Sequence, residues 1–159
     1  MVIDTALLII GHGPAPLVVA KVASGFGLQS VVAGHEVLGG ETPFVLDSAA
    51  LEVLRPHGVF DVLRPYLAAT EPPAIAPIVF EEVLKHHCVV DMNVTVFDGL
   101  VLVESTPRGG GVRGVLTDGR TRWEVSADAF VDAGELPSDL PASITASAEV
   151  ARLVLAARH

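Results

Sequence analysis

Apolar residues fall in short closed runs separated by glycine and proline, and the period of each run predicts its element. Ala6 to Ile10 are apolar without a break, as in a strand buried on both faces of a parallel sheet. Gly11 and Gly13 end that strand in a tight turn. From Ala15 to about Phe26, Leu17, Val18, Val22 and Phe26 recur at a spacing that puts them on one face of a helix. Gly27 is placed to close the helix with a left-handed cap, and Ser30 to Ala33 form a second apolar strand.

Residues 37–80 change character. Val37 to Gly40 read as a loop, and Pro43, Pro56, Pro65, Pro72, Pro73 and Pro77 punctuate the rest. Ala49 to Leu54 and Val59 to Leu67 are predicted as short helices that prolines interrupt. The stretch reads as a shortened, surface-hugging connection, because so few residues cannot enclose a substrate alone. Ile78 to His87 has helical spacing at Val79, Val83 and His87, with Phe80 and Leu84 alongside, and Cys88 to Val96 reads as a strand. Leu100 to Glu104, Val112 to Leu116 and Thr121 to Val125 are β-formers separated by Gly109-Gly110-Gly111 and Asp118-Gly119, a three-stranded antiparallel meander. Ala129 to Ala133 is a further buried strand, Pro137 to Pro141 a loop. Ser143 to Ala157 is a final helix with Val150, Leu153 and Val154 on its apolar side. There is no internal repeat and no charge run.

Composition sharpens this pattern. The 159 residues suit one domain, and with half of them hydrophobic but only 5% aromatic the core must be built of Val, Leu, Ala and Ile. A net charge of −9 and the lack of a basic cluster argue against nucleic acid as partner. One cysteine, Cys88, excludes an internal disulfide or a dithiol redox pair. The first residues carry no basic segment and their apolar run is too short to span a bilayer, so a cytoplasmic protein with no membrane span is expected.

Strand, glycine turn, helix and strand within about 30 residues is the pattern of a dinucleotide-binding unit. Backbone N–H groups and the positive helix end converge there on a pyrophosphate, which approaches closely only where side chains are absent.

Three segments carry a more specific resemblance. Gly11-His12-Gly13-Pro14-Ala15-Pro16-Leu17 resembles a Gly-x-Gly-Pro-Ala-Gly-Leu turn, Val37-Leu38-Gly39-Gly40 looks like a Leu-Gly-Gly after the second strand, and Phe130 to Glu135 looks like a strand ending in Gly-Asp. In this order around a meander, they resemble the FAD-binding domain of the FAD-dependent oxidoreductases, a two-dinucleotide-binding-domain flavoprotein group. The resemblance covers nearly the whole chain. It implies an α/β, Rossmann-like FAD/NAD(P)-binding domain, with a central parallel sheet and a three-stranded β-meander, as one minimal domain over 1–159.

The resemblance implies roles for matching positions. Gly11, His12, Gly13, Pro14 and Ala15 would face the FAD pyrophosphate, while Val94 and Val96 would lie near the adenine. Gly134 and Glu135 would meet the ribityl phosphate end, and Thr145 in the start of the last helix would point towards the flavin. Three departures stand out. Pro16 replaces the third glycine, Gly34 stands where an acidic residue on the adenosine ribose is expected, and Glu135 replaces aspartate. Glu36, two residues on, would substitute if the loop bends back, with His35 beside it at the ribose edge.

Neither a substrate domain nor a second nucleotide fold fits in this length, so the expectation is an FAD-binding redox protein that works with another subunit or as a homo-oligomer. The competing expectation is a flavoprotein fold without cofactor, kept as a scaffold or assembly subunit. A nicotinamide-binding domain suits the meander and Gly-Glu segment less well. Of the remaining constellations, His86-His87-Cys88 lacks further ligands at metal spacing and reads as core at His87 and Cys88 with His86 solvated. No serine sits in a Gly-x-Ser-x-Gly elbow, and Trp123 reads as meander packing, or else as an aromatic beside an adenine pocket.

Overall fold

The computed structural model describes residues 2–158, and for His57 the backbone alone. One six-stranded sheet has the order β5-β2-β1-β8-β7-β6. Its strands are β1 (Val2–Ile10), β2 (Ser30–Ala33), β5 (Val94–Phe97), β6 (Val101–Arg108), β7 (Gly111–Thr117) and β8 (Arg122–Asp132). β5, β2, β1 and β8 run parallel, while β6, β7 and β8 are antiparallel. The parallel sheet and the three-stranded meander are both present, fused through one long strand. β8 merges the two strands expected at Thr121–Val125 and Ala129–Ala133. Its first half pairs with β7, and β1 flanks it along its length from Glu124 to Asp132.

Both faces of β1 are buried from Ala6 to Ile9, as the unbroken apolar run requires. Leu7 and Ile9 pack with Val32 and Val131 towards the helices, and Leu8 packs with Val31, Ala33, Leu100 and Leu116 on the other side. The meander closes over that second face. A Cβ at Gly114 would lie 2.6 Å from Leu8 Cδ2, so bare backbone is what lets β7 approach.

Helix α1 (Pro14–Gly25) is buried on all sides from Pro14 to Ala23, not along one stripe, because it lies between the sheet, α4 (Pro77–Val89) and α5 (Leu140–Ala157). Gly27, at φ +79°, caps it as expected: its N–H bonds Ser24 and the Leu28 N–H bonds Ala23, the paired bonds of a left-handed cap.

Helix α4 departs from the expected boundaries. It continues through Cys88 to Val89, and β5 starts only at Val94. Phe80, Leu84 and Cys88 form its buried stripe, and the Cys88 thiol donates to the Leu17 carbonyl at 3.7 Å. Val79, Val83 and His87 sit half-buried beside that stripe.

The inward side of α5 is broader than expected: Val150 and Val154 pack half-buried against the core as their spacing predicts. Ser143, Ile144, Ser147, Ala148 and Ala151 face inward, and Leu153 is exposed. Small residues there let α5 approach α1 closely, a gain that larger Val and Leu side chains would forfeit. By length and mean hydropathy (1.3 over 18 residues) α5 also meets the size of a bilayer crossing, yet here it packs on α1.

Residues 37–80 do more than hug the surface. They form a two-stranded antiparallel sheet, β3 (Phe44–Val45) and β4 (Ala74–Ile75), with α2 (Ser48–Leu54) and α3 (Val59–Leu63) between. Leu46, Ala50, Leu54, Val59 and Leu63 enter the main core against α1, α4 and α5. Asp47 caps α2 by accepting from the Ala50 N–H at 2.9 Å.

Candidate functional site

Parallel strands end together, and their carboxyl ends form the crevice in which open α/β sheets bind ligands. Here that crevice is a cavity of about 500 Å³ lined by the ends of β1, β2 and β8 and by the start of β6. Gly11, His12, Gly34, Leu38, Val101, Leu102, Asp132 and Gly134 line it, with Gly11 beside Gly134 and Gly34 beside Val101.

The glycine turn is built for close approach. Gly11 (φ +137°) and Gly13 (φ +76°) take conformations that side chains rarely adopt. A Cβ on Gly11 would stand 3.0 Å from the Ala133 Cβ. Residues 35 and 36 then clamp Gly13 through both of its backbone groups. The Gly13 N–H donates to the Glu36 carbonyl at 3.0 Å, and His35 Nε2 lies 2.8 Å from the Gly13 carbonyl. A carbonyl only accepts, so Nε2 carries the ring proton and Nδ1 keeps a lone pair, which is buried without a partner.

Of the residues expected here, Gly11, His12 and Gly134 line the cavity, and Gly13, Pro14 and Ala15 lie buried behind its turn. His35 is corrected: it is 3% exposed and holds the turn from beneath, so it does not reach a ribose edge. Glu36 is exposed, and its carbonyl accepts from the Gly13 N–H. Val94 and Val96 pair with Ser30 and Val32 and pack in the helix-side core, so Thr95 and Phe97 are the β5 residues on the opposite face. Trp123 packs against Phe97 with ring centroids 5.6 Å apart. Glu135 is exposed on the turn after β8, and the Thr145 hydroxyl donates to the Pro141 carbonyl at 3.2 Å, so neither lines the cavity.

Asp132 was missed. It pairs with Ile10, which sets it beside the glycine turn, and one carboxylate oxygen caps the Gly134 N–H at 2.9 Å. The parallel pairing of Ala6–Ile10 with a strand of equal length would have found it by counting. Glu81 of α4 was also missed. It is buried, its Oε2 accepts from the Gly39 N–H at 2.9 Å, and it ties the Val37–Gly40 loop to the helix. Burial pushes its carboxyl above the usual range, partly offset by the amides of Gly39 and Leu38.

Burial also holds His35 below its ordinary pKa, although the bond to Gly13 acts the other way. Folding thus disfavours the charged ring. Stability is complete above about pH 6.5 and is lost as pH falls below that value towards the lowered folded one. His87, lowered by burial and then by Lys21, works in the same direction. H35Q removes the His35 share while keeping a donor for Gly13. Thermal melts at pH 8 and 5.5 are expected to show a smaller fall in Tm for H35Q than for the parent, and equal falls would contradict the assignment.

No protein-family model and no curated protein matches the chain in sequence. Solved structures do match in fold. The flavin-dependent monooxygenase PieE, in complex with FAD and substrate, superposes with a TM-score of 0.67 at 18% identity, over 80% of this chain and 30% of PieE. The rebeccamycin biosynthetic enzyme RebC gives 0.68 at 17% identity, over 88% of this chain and 35% of that one. A flavoprotein/dehydrogenase from Cytophaga hutchinsonii gives 0.64 at 16% identity, over 82% and 39%. The fold is therefore the Rossmann-like one found in flavoprotein monooxygenases and oxidoreductases, and the chain spans about a third of the length of these proteins.

The residues present fit the sugar–phosphate backbone of FAD. The positive-φ glycine turn presents bare backbone to the cavity, and Asp132 and Gly134 line it beside that turn. The first turn of α1 gives a thinner grip, since Pro14 and Pro16 have no N–H and that of Gly13 is already used.

Proposed function

We propose that this chain binds FAD in the cavity at the carboxyl ends of β1, β2 and β8, and acts in redox chemistry with another protein subunit in the cytoplasm. The observation that carries the reading is the position of the glycine turn. It sits at the crevice of a fold that the FAD complex of PieE shares. FAD, when bound, supplies transfer of electrons through its flavin ring. The chain's own part is to bind and orient it: Gly11 and His12 along the phosphates, Asp132 and Gly134 at the sugar, and Leu38, Val101 and Leu102 as apolar walls that exclude water.

The only cysteine is fully buried, with its thiol pushed up to about 12 by burial. A subunit that covers the open side of the cavity would complete a substrate site that this fold alone does not enclose.

Protein purified from its native host is expected to show flavin absorbance bands, and added FAD is expected to raise its Tm. A colourless protein whose Tm does not respond to FAD would sink the reading. The second reading, a cofactor-free scaffold or assembly subunit, is favoured by the poor donor set at Pro14 and Pro16. Co-purification of a stoichiometric protein partner without flavin would support it instead.

A further inference from the structure

No lysine or arginine lines the cavity, and the charge on its wall is the Asp132 carboxylate. The loops after β1, β2, β5 and β8 lie at the carboxyl end of the parallel sheet, where the cavity opens. Their charged side chains are acidic: Glu36, Glu41, Asp98, Glu135 and Asp139 are all exposed. The stretches that supply these loops, residues 1–20, 22–54, 86–107 and 123–151, contain no lysine or arginine. Lys85 of α4 reaches the loop after β5, but there it pairs with Asp98 at 2.8 Å. Pro14 and Pro16 also remove N–H donors from the start of α1. A pyrophosphate in this cavity therefore meets no cation of this chain.

The mouth of the same cavity is apolar and uncovered. Leu38 and Val101 line it, yet they are 70% and 51% exposed, and Val103, two positions along β6, is 54% exposed. A Cβ on Gly13 would lie 2.9 Å from Leu38 Cδ1, and one on Gly34 3.8 Å from Val101 Cγ1, so this apolar surface begins at the glycine turn. β6 is moreover an edge of the sheet, with β7 as its one neighbouring strand. Exposed apolar surface inside a polar rim marks an interaction site.

We propose that the partner subunit docks on the Leu38–Val101–Val103 surface and presents an arginine or lysine that enters the cavity and binds the FAD phosphates. This rests on the FAD reading above and states the chemistry of its partner. The acidic rim supplies the complementarity: Glu36, Asp98 and Glu135 attract a basic protein surface and repel nucleic acid or an anionic membrane. A second copy joined by two-fold symmetry would set like acidic rims against each other. Arginine suits the role best, because its planar fork holds two phosphate oxygens at once.

The complex is tested as it occurs in the native host. A photo-crosslinking amino acid in place of Val103 is expected to capture a stoichiometric partner. Mass spectrometry of the joined peptides is expected to find arginine or lysine among apolar residues on the partner's side. E36K/E135K is expected to reduce that cross-link about tenfold. Alanine in place of the partner's basic residue is expected to weaken FAD binding by the complex about tenfold or more, and to leave riboflavin, which has no phosphate, unchanged. In the isolated chain, V101R brings a cation to the cavity mouth and is expected to tighten FAD about tenfold relative to V101M, again with riboflavin unchanged. No cross-link, a cross-link to a second copy, a contact segment without a basic residue, or a cross-link indifferent to E36K/E135K would overturn the proposal. V101R acting equally on both ligands would overturn it too, and each of these results leaves FAD binding itself intact. If neither the complex nor the isolated chain binds FAD, the FAD reading falls and the phosphate role with it.

Discussion

Asp91→Ala is expected to destabilise the fold by about 3–5 kcal/mol, the range for removing one partner of a buried ion pair. Lys21 comes from the middle of α1, and its ammonium meets Asp91 in the turn between α4 and β5. Their side chains are 8% and 13% exposed. Asp91 also accepts from the Ser24 hydroxyl at 2.7 Å and from the Asn93 N–H at 2.9 Å. Burial by itself would raise the Asp91 carboxyl, but the bonds from Lys21, Asn93 and Ser24 outweigh it and hold the group below its ordinary value. Alanine would leave the Lys21 charge buried and uncompensated. K21M/D91A removes both partners and is expected to recover much of the loss. Urea unfolding of the three proteins checks this, and a loss below about 1 kcal/mol for Asp91→Ala would place the pair among weak surface bridges. The pair also matters for the site, since it fixes α1 against α4 and thereby brings Glu81 to Gly13.

Gly11→Val is expected to weaken FAD binding by about a hundredfold, or roughly 2.7 kcal/mol. Gly11 is at φ +137°, where a β-branched residue is strained, and its Cβ would press on the Ala133 Cβ at 3.0 Å. Relief would have to come from moving the end of β1 away from the turn after β8, and those two neighbouring segments both line the cavity. The valine methyl groups would also fill the floor that a phosphate needs. Flavin titration against the parent, with a circular dichroism spectrum to show that the sheet is intact, measures the effect. Unchanged affinity would mean that FAD does not approach this turn.

Much of the fold could be read from the sequence because its elements obey simple periods. The unbroken run at Ala6–Ile10, the Gly27 cap and the meander turns all appear where the pattern places them. Misses occurred where tertiary contact overrode local pattern. Cys88 looks like a β-former beside Val89 and Val90, but the stripe Phe80–Leu84–Cys88 continues the helix against Leu17. Small residues Ser147, Ala148 and Ala151 carry little hydropathy signal, yet packing against α1 buries them more deeply than Val150 and Val154.

The site was legible at the glycine turn, whose backbone role depends on residue type. It was not legible at His35, whose ring turns inward to Gly13, nor at Val94 and Val96, where a shift of one residue exchanges the faces of a strand. Glu81 had no signal at all. Only folding brings a charged residue of α4 beside a turn 68 positions earlier in the chain.

The central claim is that FAD enters the crevice at the carboxyl ends of β1, β2 and β8. Backbone amide shifts followed by NMR during an FAD titration test it most directly. Saturating shifts are expected at Gly11, His12, Gly34 and Gly134, with Gly109 and Gly110 at the far hairpin unmoved. Shifts confined to that hairpin, or none at any of the four glycine-turn and strand-end positions, would contradict it.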